Sequence, residues 1–119
     1  MNNIPPKVQN QLAMLQQLQQ QLQTVVGQKA QYEVGIREAK KAFEELKDVP
    51  ADTEVFTTVG SVMMRQPKEK VESGLAEKIE TLELRVKSLE KQEKMLQGKF
   101  EQLQAQIKGA LEGNTPVAT

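Results

Sequence analysis

The chain has 119 residues, 38% hydrophobic and 3% aromatic with no tryptophan, an inventory too lean for a large globular core. Its 27% charge is balanced in sign and joined to strict apolar periodicity, which excludes plain disorder. Net charge is zero and histidine and cysteine are absent, so no footprint for nucleic acid or an anionic membrane, no disulfide, no thiolate metal site and no thiol catalysis is expected.

Pro5 and Pro6 suit a helix start, where the first N–H groups lack internal partners anyway. Helix one is predicted over 6–48. Asp48-Val49-Pro50 ends it, because the residue before proline is pushed out of helical geometry. At ~1.5 Å per residue such a helix is roughly 60 Å long. It places Leu15, Leu18, Leu22, Val25, Lys29, Tyr32, Ile36, Ala39, Phe43 and Leu46 at alternating steps of three and four, the seam of a coiled coil. Gln16, Gln17, Gln19, Gln20, Gln21 and Gln23 form a glutamine tract. Leucines interrupt it at heptad spacing, so it reads as a helix with a glutamine-coated exterior. Charge is sparse from Gln9 to Gln28 and dense from Glu33 to Asp48.

A β-hairpin is predicted over 53–65, where β-branched residues are broken once by Gly60. Val55 and Phe56 are adjacent, and so are Val62, Met63 and Met64, so both faces call for burial. A lone two-stranded hairpin is marginal in water and its edges invite pairing with other chains. With Val59 and Gly60, these residues form the candidate assembly element.

Helix two is predicted over 67–111, with Glu69 in its first turn, followed by a flexible tail over 112–119. Its seam runs through Leu75, Ile79, Leu82, Val86, Leu89, Glu93, Leu96, Phe100, Leu103, Ile107 and Ala110. Glycines 27, 35, 74, 98 and 109 interrupt the helical spans at ~1 kcal/mol each against alanine, and none takes a seam position. Glu83–Lys87 and Glu90–Lys94 have the spacing of intrahelical pairs.

The two seams mirror each other. Leu15 with Ile107, Leu22 with Phe100, Ile36 with Val86 and Phe43 with Ile79 all have numbers summing to 122, as do the two charged exceptions, Lys29 and Glu93. One layer therefore holds opposite charges, which predicts an antiparallel intramolecular hairpin with Lys29–Glu93 fixing its register. The fold class is mainly α: a long antiparallel coiled-coil hairpin with one short β-hairpin between its helices, in a single domain over 1–119.

Toward the two chain ends the seam deteriorates, pairing Gln11 with Ala110. Leu12, Met14 and Leu111 lie just off it, and Ile4 and Val8 precede them. These apolar residues are expected to stay partly exposed. Fraying of the helix ends is one reading, and partner contact is the other. Met14 offers a polarizable, adaptable surface. The chain carries no nucleotide-binding fingerprint or catalytic constellation, so it reads as neither an enzyme nor a cofactor protein. No apolar run approaches the ~20 residues of a membrane span, and the glutamine-rich start does not read as a signal peptide, so a cytoplasmic protein is expected.

Val55-Phe56-Thr57-Thr58-Val59-Gly60-Ser61-Val62-Met63-Met64, then Glu80-Thr81-Leu82-Glu83-Leu84-Arg85 and Gln92-Glu93, resemble the prefoldin β-subunit family, in its archaeal form. The resemblance covers nearly the whole chain, and a single hairpin points to the β type. Met63-Met64, softer than branched aliphatics, and Gly74, near the start of helix two, depart from the pattern. The resemblance implies a hexamer of two α and four β subunits whose hairpins join into a double barrel. It also implies an ATP-independent holdase that captures non-native proteins at the coiled-coil tips and passes them to a group II chaperonin. Carried onto this sequence, the hairpin Glu54 to Arg65 would assemble the particle. Ile4, Val8, Leu12, Met14, Leu15, Ile107, Ala110 and Leu111 would meet client. Periodicity alone fits a scaffold or adaptor gripping one specific partner equally well.

Overall fold

The computed structural model describes residues 4–113. Its elements in chain order are helix α1 (Pro6–Lys47), strands β1 (Val55–Val59) and β2 (Val62–Gln66), and helix α2 (Lys68–Leu111). The fold is mainly α, an antiparallel coiled-coil hairpin with one short β-hairpin between its helices. Of the tail predicted over 112–119, residues 114–119 lie outside the described residues.

Each helix boundary has a local cause. Pro6 stands at the first helical position of α1, and the Gln9 amide N–H donates to the Pro5 carbonyl at 3.0 Å. At the other end, Asp48 and Val49 donate to the carbonyls of Glu45 and Leu46, tightening the last turn before Pro50. Lys68 opens α2, and its Nζ donates to the Val49 carbonyl at 2.7 Å. A cation there covers backbone acceptors just past the negative end of the α1 dipole. Helix α2 ends where Gly113 adopts φ 70° and donates to the Ala110 carbonyl, a left-handed glycine stop.

The seam positions divide by burial as a coiled coil requires. Every one from Leu15 to Leu46 in α1 and from Leu75 to Ile107 in α2 is buried or half-buried, Lys29 and Glu93 included. Ala110 is exposed, so the α2 seam stops one position earlier than its sequence rhythm. On α1 the seam instead extends farther than expected, because Val8 continues the same three-and-four rhythm. Val8 is only 2% exposed.

The described chain falls into two compact units. Among the described residues the terminal unit comprises 4–28 with 89–113, and the hairpin unit comprises Lys29–Ser88. In the terminal unit, Val8, Leu103 and Ile107 form a buried cluster with Leu15 and Leu18 packed against it. The hairpin unit packs its helices with Ile36 and Val86 lining one shared depression. Arg85 lies 5.7 Å from the Tyr32 ring centre, and Lys40 Nζ meets Glu83 Oε2 at 3.2 Å. Glu83 thus pairs across the helices rather than with Lys87, because its flanking position faces the opposite helix. Gly35 also faces the interface: a Cβ there would sit 3.2 Å from Leu82 Cδ1. Although outside the heptad seam, this glycine lies against the facing helix.

Candidate interaction surfaces

The β-hairpin is built by a two-residue connection. Val59 pairs with Val62 across Gly60-Ser61, and Gly60 adopts φ 63°, a conformation only glycine reaches without strain. The register also aligns Val55 with Gln66, Phe56 with Arg65, Thr57 with Met64 and Thr58 with Met63. Alternation then puts Val55, Thr57, Val59, Val62 and Met64 on one face, and Phe56, Thr58 and Met63 on the other. Both faces are apolar, as the sequence suggested. Phe56, Val59, Val62, Met63 and Met64 are all exposed, Met63 at 68%. Glu54 and Arg65 bridge the strands at 2.8 Å on the surface. Five large exposed apolar side chains on a ten-residue sheet make it a candidate contact surface.

The second surface lies on the terminal unit. Ile4, Leu12, Met14 and Leu111 are exposed, Met14 at 54% and Leu111 at 57%. Beside them runs a groove of about 480 Å³. It is lined by Leu18 and Leu103 from the seam, by Met14, Gln17 and Gln21 beside the seam on α1, and by Lys99, Gln102 and Gln106 beside it on α2. A neighbouring depression shares Gln17 and Gln21 and continues to Gln28 and Gln92. From Ile4 to Gln28, Lys7 is the single charged residue.

A family model described as prefoldin subunit matches residues 9–114. The chain belongs to the prefoldin subunit family. The prefoldin subunit beta of Methanoculleus marisnigri is 74% identical over 113 residues, covering 95% of this chain and 93% of that protein. That of Methanospirillum hungatei is 56% identical over 119 residues, covering 99% of each. The crystal structure of the prefoldin beta subunit from Thermococcus strain KS-1 superposes with a TM-score of 0.85 at 47% identity, covering 98% of this chain and all of that one. A coiled coil that carries one hairpin is therefore the architecture of a prefoldin beta subunit.

Against that prefoldin frame, the eight tip residues read from sequence divide into two groups. Ile4, Leu12, Met14, Ala110 and Leu111 are exposed, as an accessible surface requires. Val8 and Ile107 are buried together and Leu15 is half-buried against them, so these three hold the terminal unit closed. The expectation of partial exposure fails at Val8, because it lies a full heptad before Leu15 and falls on the seam. Gln11, between them on the seam, has its Oε1 buried without a hydrogen-bond partner among the described residues, a cost to the layer it occupies. Sequence reasoning singled out Gln17 and Gln21 within the glutamine tract of helix one and passed over Gln102 and Gln106, which line the same groove from α2. The groove's signal was present in the positions flanking both seams, Gln21 and Gln28 on α1 and Gln92 and Gln106 on α2.

Among the described residues no group of three or more carboxylates is placed to hold a metal ion, and no helix is long and apolar enough to cross a membrane.

Proposed function

We propose that this chain is a subunit of a cytoplasmic, ATP-independent holdase that captures non-native proteins and delivers them to a group II chaperonin. The observation that carries this reading is the exposure of Ile4, Leu12, Met14 and Leu111 on a unit whose α1 segment has almost no charge. Apolar side chains that stay in water at a cost of ~25 cal/mol per Å² have a use when a partner covers them. A partner without defined structure needs just such an uncharged, adaptable surface, since no ion has to be stripped of water when it lands. The hairpin supplies the other half: Phe56, Val59, Val62, Met63 and Met64 assemble this chain with α-type and further β-type subunits, as two α and four β. Lys29 and Glu93 set the register of the arm. No catalytic role, cofactor or metal enters the reading.

The test is co-expression with an α-type subunit, mass measurement, and an aggregation assay on several unrelated unfolded proteins without ATP. Suppression by a six-subunit particle is expected, along with its loss when residues 1–14 and 108–119 are removed and the particle persists. Unchanged aggregation in the presence of the assembled protein, or full suppression by the truncated one, overturns the holdase reading.

A further inference from the structure

The groove of the terminal unit is organised differently from the exposed apolar residues beside it. Its walls are ladders of amides. Gln17 and Gln21 stand one helical turn apart on α1, and Gln102 and Gln106 do so on α2. Among the described residues none of these four side chains makes a hydrogen bond to another protein group. Each therefore presents a donor and an acceptor to whatever enters the groove. Four residues of helix rise about 6 Å, close to the roughly 6.6 Å that two residues of extended chain span. Successive amides on each wall therefore match every second residue of a strand laid along the groove. In the same strand, alternate side chains point down, toward Leu18 and Leu103 on the seam.

We propose that this groove holds an extended segment of non-native polypeptide by its backbone. The glutamine amides of the two walls bond the segment's peptide groups, and its inward side chains rest on Met14, Leu18 and Leu103. This deepens the holdase reading and rests on it for the identity of the occupant. The chemistry answers a difficulty in capturing unfolded chains. An extended segment carries an unpaired N–H and C=O at every residue, and moving it onto an apolar surface strands them at ~1–3 kcal/mol each. A carboxamide, with donor and acceptor on one planar group, replaces the lost water whatever the side chains are. Charge narrows the class of segment. Lys99 is the one charged residue lining the groove and no carboxylate lines it, so neutral or acidic segments are accommodated and basic ones disfavoured.

The probe is a labelled eight-residue peptide alternating leucine and serine with glutamate at both ends, titrated against the full-length chain and followed by fluorescence anisotropy. Methylating the backbone nitrogens of its leucines keeps the side chains and removes the donors. That change is expected to weaken binding about tenfold, the equivalent of one or two lost hydrogen bonds. Gln21→Met together with Gln106→Met keeps length and helix propensity while removing the amides, and should weaken the unmethylated peptide similarly. Lysine in place of the terminal glutamates should weaken it further. Equal binding of the methylated peptide, or unchanged or tighter binding to the methionine variant, overturns the proposal, since purely apolar capture would gain from methionine. Circular dichroism checks that the variant keeps its helices. If it does not, the methylated peptide on the unsubstituted chain decides alone. Aggregation suppression, read in parallel, separates the two ideas. Suppression without backbone dependence leaves the holdase and removes the groove, and backbone-dependent peptide binding without suppression does the reverse.

Discussion

The terminal unit and the hairpin unit share one kind of seam, and they differ in what flanks it. In the hairpin unit the flanking positions hold Lys40 against Glu83 and Arg85 over Tyr32. In the terminal unit they hold Met14, Gln21 and Gln106, with Lys99 the one charge at the groove. A seam needs the same apolar layers wherever it runs, so it cannot say what the surface is for. The flanks can. Ion pairs there resist being covered, because each charge must be stripped of water, whereas amides accept a partner at much lower cost. Large apolar side chains are exposed together on the β-hairpin, at Phe56, Val59, Val62, Met63 and Met64, and near the helix ends of the terminal unit, at Ile4, Leu12, Met14 and Leu111. Elsewhere on the helices, Val26, Val34, Leu84 and Met95 are exposed singly.

The largest effects should come from charging those two exposed surfaces separately. Val59→Lys with Val62→Lys puts cations on a facing strand pair and is expected to abolish assembly, measured by native mass, while helical content stays unchanged. Met14→Lys with Leu111→Lys should leave assembly intact and remove most aggregation suppression. If either pair of changes acts on both measurements alike, the division of labour between the two units is wrong.

Next in size is Leu103→Ala. Leu103 is buried in one cluster with Val8 and Ile107, and it also lines the groove. Truncation should cost ~2–3 kcal/mol in urea denaturation, the low end for a buried leucine because the groove lets the site relax. A cost below ~1 kcal/mol would mean that the terminal unit does not rely on that cluster.

Much of this architecture was legible in the sequence because heptads are a one-dimensional code: burial at nearly every seam position follows from spacing alone. The β-hairpin was legible from Gly60 between β-branched runs, although β2 reaches Gln66, one residue beyond the expected limit. Val8 is a different case, since it stands one heptad before Leu15 and its burial was legible by spacing, although exposure was expected of it. What failed to show were features set by the facing helix. Glu83 has a suitable partner at Lys87 by spacing, yet its position turns it toward Lys40. Gly35 is off the seam by count and against Leu82 in space. The groove was invisible for the same reason, since its two walls are about eighty residues apart in sequence.

The proposed Lys29–Glu93 register lock comes third. In the mirrored alignment, leucine at either position alone would leave one charge opposite an apolar side chain, while leucine at both would restore a uniform layer. A double-mutant cycle followed by thermal denaturation should therefore give a coupling above ~1 kcal/mol. Additive effects would reject the mirrored alignment of the two seams. A smaller contrast uses one glycine from each unit. Gly27 has no atom within 4 Å of a built Cβ, so Gly27→Ala should gain about 1 kcal/mol from helix propensity. Gly35→Ala should gain less, because Leu82 must give way. Equal gains would show that the close approach of the helices at Gly35 costs nothing to loosen.

The smallest effect belongs to the pair that most clearly sets the hairpin unit apart. Lys40 and Glu83 are each about half exposed, at 57% and 48%. Water and salt screen such a pair, and two long side chains lose freedom to form it, so its coupling should be no more than ~0.5 kcal/mol at low ionic strength and should fade by 0.5 M salt. Its importance here is therefore exclusion rather than stability. Replacing both residues with glutamine should barely move the denaturation midpoint, yet it gives the hairpin unit the amide flanks of the terminal unit. If flanking chemistry governs where an unfolded segment can lie, that neutral change should let the labelled peptide bind at a second, weaker site. If no second site appears, the apolar lining of Met14, Leu18 and Leu103 is needed as well as the amides.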